Sequence, residues 1–357
     1  MKRSYLLASL LLFASASGLA QTQVADYHPG VTEEGITYFL PDTYVRVVVT
    51  ATKTHHTPGE FCQYAERYLR LKNVAQTAYD EWEINGITLQ SYGVANATKA
   101  YTVKLKPKTS APFVGLASDG RLLSINADAP LETAKTEPGV VRNESNTPDP
   151  TSFKTQEILN AGSTAKMAEL TANEIYDIRE NRGLLSKGQA DFMPKDGEQL
   201  RLMLANLDTQ EDGLMHLFTG TATTETHTIV YDVCPSADAQ HTLLFRFSKY
   251  LGVVDNDDPA GVPVYISFKD QKTVPETIVD PKAKPRKEVE DVRYAVPSRV
   301  GVRVYTDAKE YASQSFPMAQ FGKVEHLGSE LFNKKNTTRV TFYPETGGIA
   351  KLEGDMQ

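Results

Sequence analysis

The chain has few of the residues that stabilise small secreted scaffolds. Its 357 residues include two cysteines and one tryptophan. Two cysteines close one disulfide at most, which excludes a disulfide-dense mini-protein. Apolar residues make up 40% and charged residues 23% of the chain. These ordinary fractions exclude a disordered or collagen-like protein and predict a folded globular one.

Long apolar runs and an excess of basic charge are also lacking. No run reaches the ~20 apolar residues that a membrane-spanning helix needs. The formal net charge is −7. An acidic balance argues against nonspecific nucleic-acid binding, which depends on a basic surface. We therefore expect no nucleic-acid partner, no docking on anionic lipid and no transmembrane span.

Motifs that fix a reaction or a cofactor are missing as well. The chain has no G-x-S-x-G, no Walker loop, no G-x-G-x-x-G and no H-E-x-x-H. Ser163 and Lys166 match S-x-x-K, but the companion motifs S-D-N and K-T-G are absent, which favours Ser163 as a helix N-cap. The sequence thus assigns no catalytic residue and no cofactor; it favours a non-catalytic protein and leaves catalysis open.

The N-terminal residues predict export. Lys2 and Arg3 precede an apolar run from Tyr5 to Phe13, and small residues lead to Ala20. A basic start, a short apolar run and a small residue at the cut are typical of a secretory signal peptide. We therefore expect a signal peptide over residues 1–20 and a mature protein in the periplasm or at the outer-membrane surface.

The remaining sequence predicts an α+β fold that is predominantly antiparallel β-sheet. Alternation of apolar and polar residues, as at Val45, Val47 and Val49, predicts strands in both halves of the chain. Asn85-Gly86, Asp119-Gly120 and the Glu345–Gly348 turn predict hairpins or tight turns. Short strands that are not separated by regular helices favour antiparallel sheets.

Three helices are predicted from caps and apolar spacing. One begins at Thr57-Pro58 with Glu60 completing a capping box, one begins at Ser163 or Thr164, and one begins at Asp196. The last has the apolar stripe Leu200, Met203, Leu204 and Leu207, and a small break is expected near Asp208. The second and third helices predict an αα-hairpin packed on a sheet.

The domain organisation follows from a proline-rich stretch. Four prolines lie between residues 130 and 150 among polar residues, which predicts a linker over residues 131–150. We expect two lobes: a mainly-β lobe with one helix over residues 21–130, and an αα-hairpin followed by an antiparallel β lobe over residues 151–357.

Two sets of side chains are candidate sites. Asp255, Asp257 and Asp258 form the densest acidic cluster and are the best metal candidates, because calcium prefers oxygen ligands at alternate positions. The EF-hand spacing is not met, and Pro259 and Gly261 at the end of the cluster favour a solvated turn over a metal site. Cys62 and Cys234 are either a disulfide, as an oxidising compartment allows, or two unpaired thiols.

Three groups of segments together resemble a known family. They are residues 35–71 with Pro-Asp-Thr-Tyr and Thr-Pro-Gly-Glu, residues 171–220 with Glu-Ile-Tyr-Asp-Ile-Arg-Glu and Leu-Phe-Thr-Gly, and residues 339–352 with Tyr-Pro-Glu-Thr-Gly-Gly. The chain resembles the secreted Bacteroidota family known as domain of unknown function 4831. The resemblance implies an exported protein of a diderm bacterium, and it implies no reaction.

The sequence therefore favours a binding or assembly module with an envelope protein as its partner. Two alternatives stay open. The 17 tyrosines allow a glycan-binding protein, because tyrosine faces stack on sugar rings, although tyrosine is also an ordinary strand residue. The other is a hydrolase with an unrecognised carboxylate pair. A cleft lined by tyrosines would favour glycan binding, and an exposed apolar patch would favour assembly.

Overall fold

The computed structural model describes residues 31–32, 35–103, 113–143, 148–275, 292–327 and 336–356. The predicted signal peptide over residues 1–20 lies outside these ranges. The strands are β1 (Val31–Thr32), β2 (Gly35–Thr57), β3 (Tyr79–Val103), β4 (Val114–Leu116), β5 (Leu122–Ile125), β6 (Gly139–Asn143), β7 (Thr221–Val233), β8 (Ala239–Ser248), β9 (Gly252–Val254), β10 (Val262–Asp270), β11 (Val292–Tyr305), β12 (Glu310–Leu327), β13 (Asn336–Phe342) and β14 (Ile349–Met356). The helices are α1 (Ala65–Leu69), α2 (Gln156–Leu159), α3 (Thr164–Lys187) and α4 (Gly197–Thr219).

The described strands form three sheets, and their pairings are antiparallel, as predicted for this α+β protein. The first sheet has the order β1-β2-β7-β6 with β3 paired to β2, the second has the order β12-β11-β10-β8-β9, and the third has the order β14-β13-β5-β4. The alternation at Val45, Val47 and Val49 arises because these side chains are fully buried between the first two sheets. Phe245, Ile266 and Val302 of the second sheet line the same core.

A side-chain amide joins the second sheet to the first. Strand β7 ends opposite Val45, so the backbone of Thr43 has no partner on β7. The side-chain amide of Gln320 on β12 supplies the hydrogen-bond partner that β7 lacks here. Its Oε1 accepts from the Thr43 N–H at 3.0 Å and its Nε2 donates to the Thr43 carbonyl at 2.8 Å. The Gln320 side chain thus continues the hydrogen bonding that a longer β7 would provide.

The helices form a separate core at one end of the first sheet. Strand β2 leads into α1, and α4 leads into β7, so α1, α3 and α4 meet beyond the ends of these two strands. Their fully buried side chains are Phe61, Ile175 and Phe218, among others. The predicted αα-hairpin is therefore present as α3 and α4, capped by Ser163 and Asp196, whose side chains accept backbone N–H groups at Lys166 and Gln199.

Several local predictions were wrong. Asn85 and Gly86 lie within the continuous strand β3, where the register against β2 shifts, so this pair makes a β-bulge instead of a hairpin. Thr57 ends β2 instead of capping a helix, and α1 covers only Ala65–Leu69 after a short 3₁₀ turn. Helix α4 continues without a break through Asp208. Its stripe at Leu200–Leu207 is half-buried, and the buried residues lie in the second half.

The two-lobe division stays a prediction. Strands from residues 35–125 and from residues 221–356 share two of the three sheets, since β2 pairs with β7 and β5 pairs with β13. Strand β6 of the 131–150 segment pairs with β7. In the described residues, the sheets therefore do not separate along the predicted boundary.

Candidate functional site

The second sheet carries an open cleft of about 760 Å³ on the face that points away from the core. Strands β8, β10, β11 and β12 form its floor. The inward side chains of β10 and β11 are apolar and buried, so the alternate residues point into the cleft. Across the strands these residues form rows: Ser267 pairs with Arg303 and then Ser313, and Lys269 pairs with Gly301 and then Ser315.

Three aromatic side chains form a continuous surface at one end of the cleft; His241 and Tyr305 line the cleft, and Tyr265 extends the surface beyond the lining residues. Tyr265 and Tyr305 are paired on β10 and β11, with ring centroids 6.1 Å apart. The ring of His241 on β8 stands edge-on to both, 5.3 Å from Tyr265 and 5.5 Å from Tyr305. The Arg303 guanidinium lies 5.3 Å from the centre of the Tyr305 ring. This surface is apolar in its faces and polar at its edges, as is typical of aromatic ligand contacts.

The backbone of His241 is held in an unusual conformation. Its φ is +52°, in the left-handed region that non-glycine residues seldom adopt. It lies where the register of β8 against β10 shifts between Ile266 and Phe268. The bulge turns the imidazole toward the two tyrosines. Backbone strain of this kind is common at ligand sites, where the surrounding structure maintains it.

Gly301 makes the middle of the cleft deep. A Cβ built on this residue would have Gln271 Nε2 at 3.6 Å and the Lys269 carbonyl at 3.8 Å, which are ordinary contacts. The Gln271 amide crosses above this position and donates to Ser315 Oγ at 2.8 Å. Glycine at 301 thus lets the Gln271 amide cross β11 to Ser315, and a larger side chain here would fill the middle of the cleft.

The charged groups in and beside the cleft are two cations and two anions, and several of its polar side chains make no hydrogen bond to the described residues. Lys269 and Arg303 are positive; Asp270 and Glu310 are negative, and Arg303 Nε donates to Glu310 Oε2 at 2.7 Å. Asp270 Oδ1 already accepts from Ser298 Oγ at 2.6 Å and from the Lys272 N–H at 2.9 Å. Four polar side chains of the cleft make no side-chain hydrogen bond to any described residue: Gln240, Ser267, Ser313 and Gln314.

The three predicted metal candidates do not form a site in the described part of the chain. They lie on a largely exposed turn, where the Asp258 N–H donates to the Asp255 carbonyl and Asp258 Oδ1 accepts from the Ala260 N–H. The Arg246 guanidinium donates to the Asn256 carbonyl at 2.7 Å. No group of three acidic, histidine or cysteine side chains among the described residues converges on a common centre.

The two cysteines are free thiols at opposite ends of the first sheet. Cys62 follows the end of β2 at Thr57, which pairs with Thr221, whereas Cys234 follows the other end of β7 at Val233. The 13 residues of β7 span roughly 40 Å. A disulfide needs Cα atoms within about 7 Å, so this arrangement holds the thiols apart. Partial desolvation and the nearby Asp42 carboxylate raise the pKa of the Cys234 thiol.

His55 and His56, near the end of β2, contact different partners. The His55 ring nitrogen Nδ1 lies 2.6 Å from Asp80 Oδ1, while the His56 ring stacks on Tyr79 at 4.5 Å. Adjacent strand residues point to opposite faces, so the two imidazoles do not share a ligand. Hydrogen bonds from His55 and Lys53 lower the pKa of the Asp80 carboxyl.

The S-x-x-K residues have structural roles in α3. The Ser163 hydroxyl caps the helix, and Lys166 pairs with Glu169.

Sequence reasoning missed the residues of the cleft. Valines and isoleucine at alternate positions predict the strands β10 and β11, whereas the site is formed by the outward residues between them. Their alternation is a signal that one face of each strand is solvated. The sequence does not say that β10 and β11 are neighbours, or that His241 joins them.

The chain belongs to a family of unknown function. The model of the family described as "Domain of unknown function (DUF4831)" matches residues 34–350, which is nearly the whole described chain. No curated protein and no solved structure matches it. Among the described residues, every helix is too short or too polar to cross a bilayer.

Proposed function

We propose that this protein is a non-catalytic binding module that takes an uncharged carbohydrate in the cleft of the second sheet. The observation that carries the proposal is the surface of His241, Tyr265 and Tyr305 beside unengaged hydroxyl and amide groups. The C–H faces of sugar rings stack on aromatic rings, and sugar hydroxyls both donate and accept hydrogen bonds. Serine hydroxyls and glutamine amides offer both roles as well.

The dimensions of the cleft support an oligosaccharide. Tyr305, Arg303 and Gly301 follow one another at alternate positions of β11, so the rows lie about 7 Å apart. From the aromatic row to the Gly301 row is therefore roughly 13 Å. Ligand sites usually have volumes of a few hundred to about 1,000 Å³. A cleft of about 760 Å³ is within this range and suits a ligand longer than one sugar ring.

The charges support an uncharged ligand. The cleft and its rim hold two cations, Lys269 and Arg303, and two anions, Asp270 and Glu310, and Arg303 is joined directly to Glu310. An anionic sugar would have to compete with Glu310 for the guanidinium. A neutral sugar uses the same guanidinium and carboxylate as hydrogen-bond donors and acceptors without leaving a charge unpaired.

The carboxylates support binding without hydrolysis. Glycosidases of the common types use two carboxyl groups, about 5 Å apart when the enzyme retains configuration and several ångströms farther apart when it inverts. Asp270 is the one residue lining the cleft that has a carboxylate, and two donors already occupy its Oδ1. Glu310 lies beside the cleft in an ion pair. Neither is an unpaired acid placed to protonate a leaving group.

The test is a glycan array probed with the protein, followed by calorimetric titration of each positive oligosaccharide. We expect neutral oligosaccharides to bind. In Gly301→Val the Cβ makes ordinary contacts and the methyl groups meet the end of the exposed, flexible Gln271 side chain, so the variant should fold normally. Because it fills the middle of the cleft, it should weaken binding about tenfold or more. His241→Asn should weaken binding and keep the fold, because asparagine tolerates a positive φ.

Tyr250→Ala is the matched control, since Tyr250 is an exposed aromatic residue outside the cleft. It should bind like the unmodified protein. An array without any bound glycan, or a titration in which Gly301→Val binds as tightly as the unmodified chain, contradicts the proposal. Turnover of a bound oligosaccharide would instead favour the hydrolase alternative.

We further propose that the protein is exported by a bacterium of the Bacteroidota and works in its envelope. The support is the N-terminal pattern of Lys2, Arg3 and the apolar run to Phe13, together with the residues that resemble the secreted family. N-terminal sequencing of the protein from its native host should begin at or near Gln21. A chain that retains Met1 and fractionates with the cytoplasm would contradict export.

A further inference from the structure

An ion pair holds the Arg303 guanidinium at the aromatic end of the cleft. Arg303 lines the cleft on β11, and Glu310 begins β12 directly opposite Tyr305. Arg303 Nε and Nη2 both donate to Glu310 Oε2, at 2.7 Å and 2.5 Å. The guanidinium also lies 5.3 Å from the centre of the Tyr305 ring. The carboxylate and the ring therefore fix its orientation together.

The guanidinium is chemically suited to a different partner, the carboxylate of an acidic sugar. A guanidinium presents its N–H donors in a planar fork that matches the two oxygens of a carboxylate. Glu310 accepts from two of the five donors of Arg303. The side chains of Arg303 and Glu310 are 57% and 43% exposed, so a ligand can reach both of them. Glu310 thus occupies the group that an acidic sugar would use.

Glu310 also decides the balance of charge at the cleft. The residues that line the cleft include two cations, Lys269 and Arg303, and one anion, Asp270. Glu310 at the rim makes the numbers equal. A carboxylate that entered beside Arg303 would be repelled by Glu310 at short range, and this repulsion is screened by salt. Without the Glu310 charge, the cleft would have one more cation than anions and would attract the same carboxylate.

We infer that Glu310 is the residue that makes the cleft select neutral over acidic sugars. The inference rests on the proposed carbohydrate site and assigns the preference of that site to one side chain. An acidic sugar has to displace Glu310 and leaves two carboxylates beside one guanidinium, whereas a neutral sugar does neither. Because an exposed ion pair is weak by itself, the repulsion between the two carboxylates contributes to the selection as well as the lost pairing.

The test compares two ligands in calorimetric titrations. One is a neutral oligosaccharide that the glycan array identifies, and the other is the same oligosaccharide with one hydroxymethyl group oxidised to a carboxylate. Glu310→Gln should shift the ratio of the two affinities about tenfold or more toward the acidic ligand, and less so at high salt. The shift should disappear in the double variant Arg303→Gln/Glu310→Gln, because the guanidinium is what the carboxylate binds. A damaged cleft would weaken both ligands and leave their ratio unchanged.

Glu353→Gln is the matched control. Glu353 on β14 of the third sheet is also half-exposed in an ion pair, with Lys351 Nζ at 2.6 Å, and does not line the cleft. This variant changes the net charge by the same amount and should keep the ratio of the unmodified protein.

Two results overturn the inference and leave the carbohydrate site standing. One is a neutral ligand that binds while Glu310→Gln keeps the ratio of the unmodified protein. The other is an equal shift in Glu353→Gln, which would assign the effect to net charge. If no oligosaccharide of either kind binds the unmodified protein or Glu310→Gln, the carbohydrate site itself fails and this inference fails with it.

Discussion

Phe218→Ala should lower the free energy of unfolding by about 3–5 kcal/mol. Phe218 is fully buried at the centre of the helical core, and its ring lies 5.6 Å from that of Phe61. Truncation removes the aromatic contacts and leaves a cavity that the surrounding helices fill only in part. Urea unfolding followed by circular dichroism at the helical band measures this change.

Leu204→Ala is the control on the same helix. Leu204 belongs to the half-buried stripe and is not part of the buried core, so we expect a loss of only about 1 kcal/mol. Fluorescence of Trp82, which contacts His227 in the first sheet, reports on the sheets independently of the helices. Equal losses for Phe218→Ala and Leu204→Ala would contradict the described packing of α4.

Gly220→Ala should destabilise the protein by about 3 kcal/mol or more. Gly220 ends α4 with φ +83° and ψ −176°, a conformation that is essentially restricted to glycine. A Cβ on it would lie 2.1 Å from the Thr57 carbonyl oxygen, which is backbone of β2 and has no freedom to move aside. The substitution therefore adds a steric clash to the backbone strain. The clash falls where the end of α4 meets the end of β2.

Gly188→Ala separates the two contributions. Gly188 ends α3 with φ +69°, but no atom lies within 4 Å of a Cβ built on it. Gly188→Ala therefore has backbone strain but no steric clash, and it should lower the free energy of unfolding by about 1 kcal/mol. Thermal unfolding of both variants gives the difference. If Gly188→Ala is as damaging as Gly220→Ala, the close approach of Gly220 to Thr57 is not what constrains this position.

Local signals predicted the elements that depend on local chemistry. Ser163 and Asp196 cap their helices because their side chains accept nearby N–H groups, and Gly120 and Gly347 have the positive φ that their turns need. The hairpin predicted at Asn85-Gly86 was wrong because the same dipeptide also suits a β-bulge. The pairing of β3 with β2 decides between a hairpin and a bulge at this position. Tertiary contacts overrode the local preference there.

The cleft depends on pairings that no local signal contains. Tyr265 and Tyr305 are 40 positions apart, and their contact depends on the register of β10 against β11. The left-handed backbone of His241 follows from a bulge on a third strand. The sequence predicted that each strand has one solvated face, but the assembly of three such faces into a cleft is a property of the folded sheet.

The pairing of β2 with β7 also sets the order in which this protein can fold. Val47 of β2 pairs with Tyr231 of β7. Strand β2 therefore cannot complete its pairing until a much later segment of the chain has been synthesised. At usual elongation rates of 5–20 residues per second, the delay is roughly ten to forty seconds. Such non-local contacts slow folding, because the entropy of closing a long loop is lost before the contact forms. Until β7 emerges from the ribosome, the nascent chain has one edge of β2 unpaired. A chaperone that binds extended apolar segments would thus have a target at residues 45–49 during synthesis, and would lose it once β7 has emerged and paired with β2.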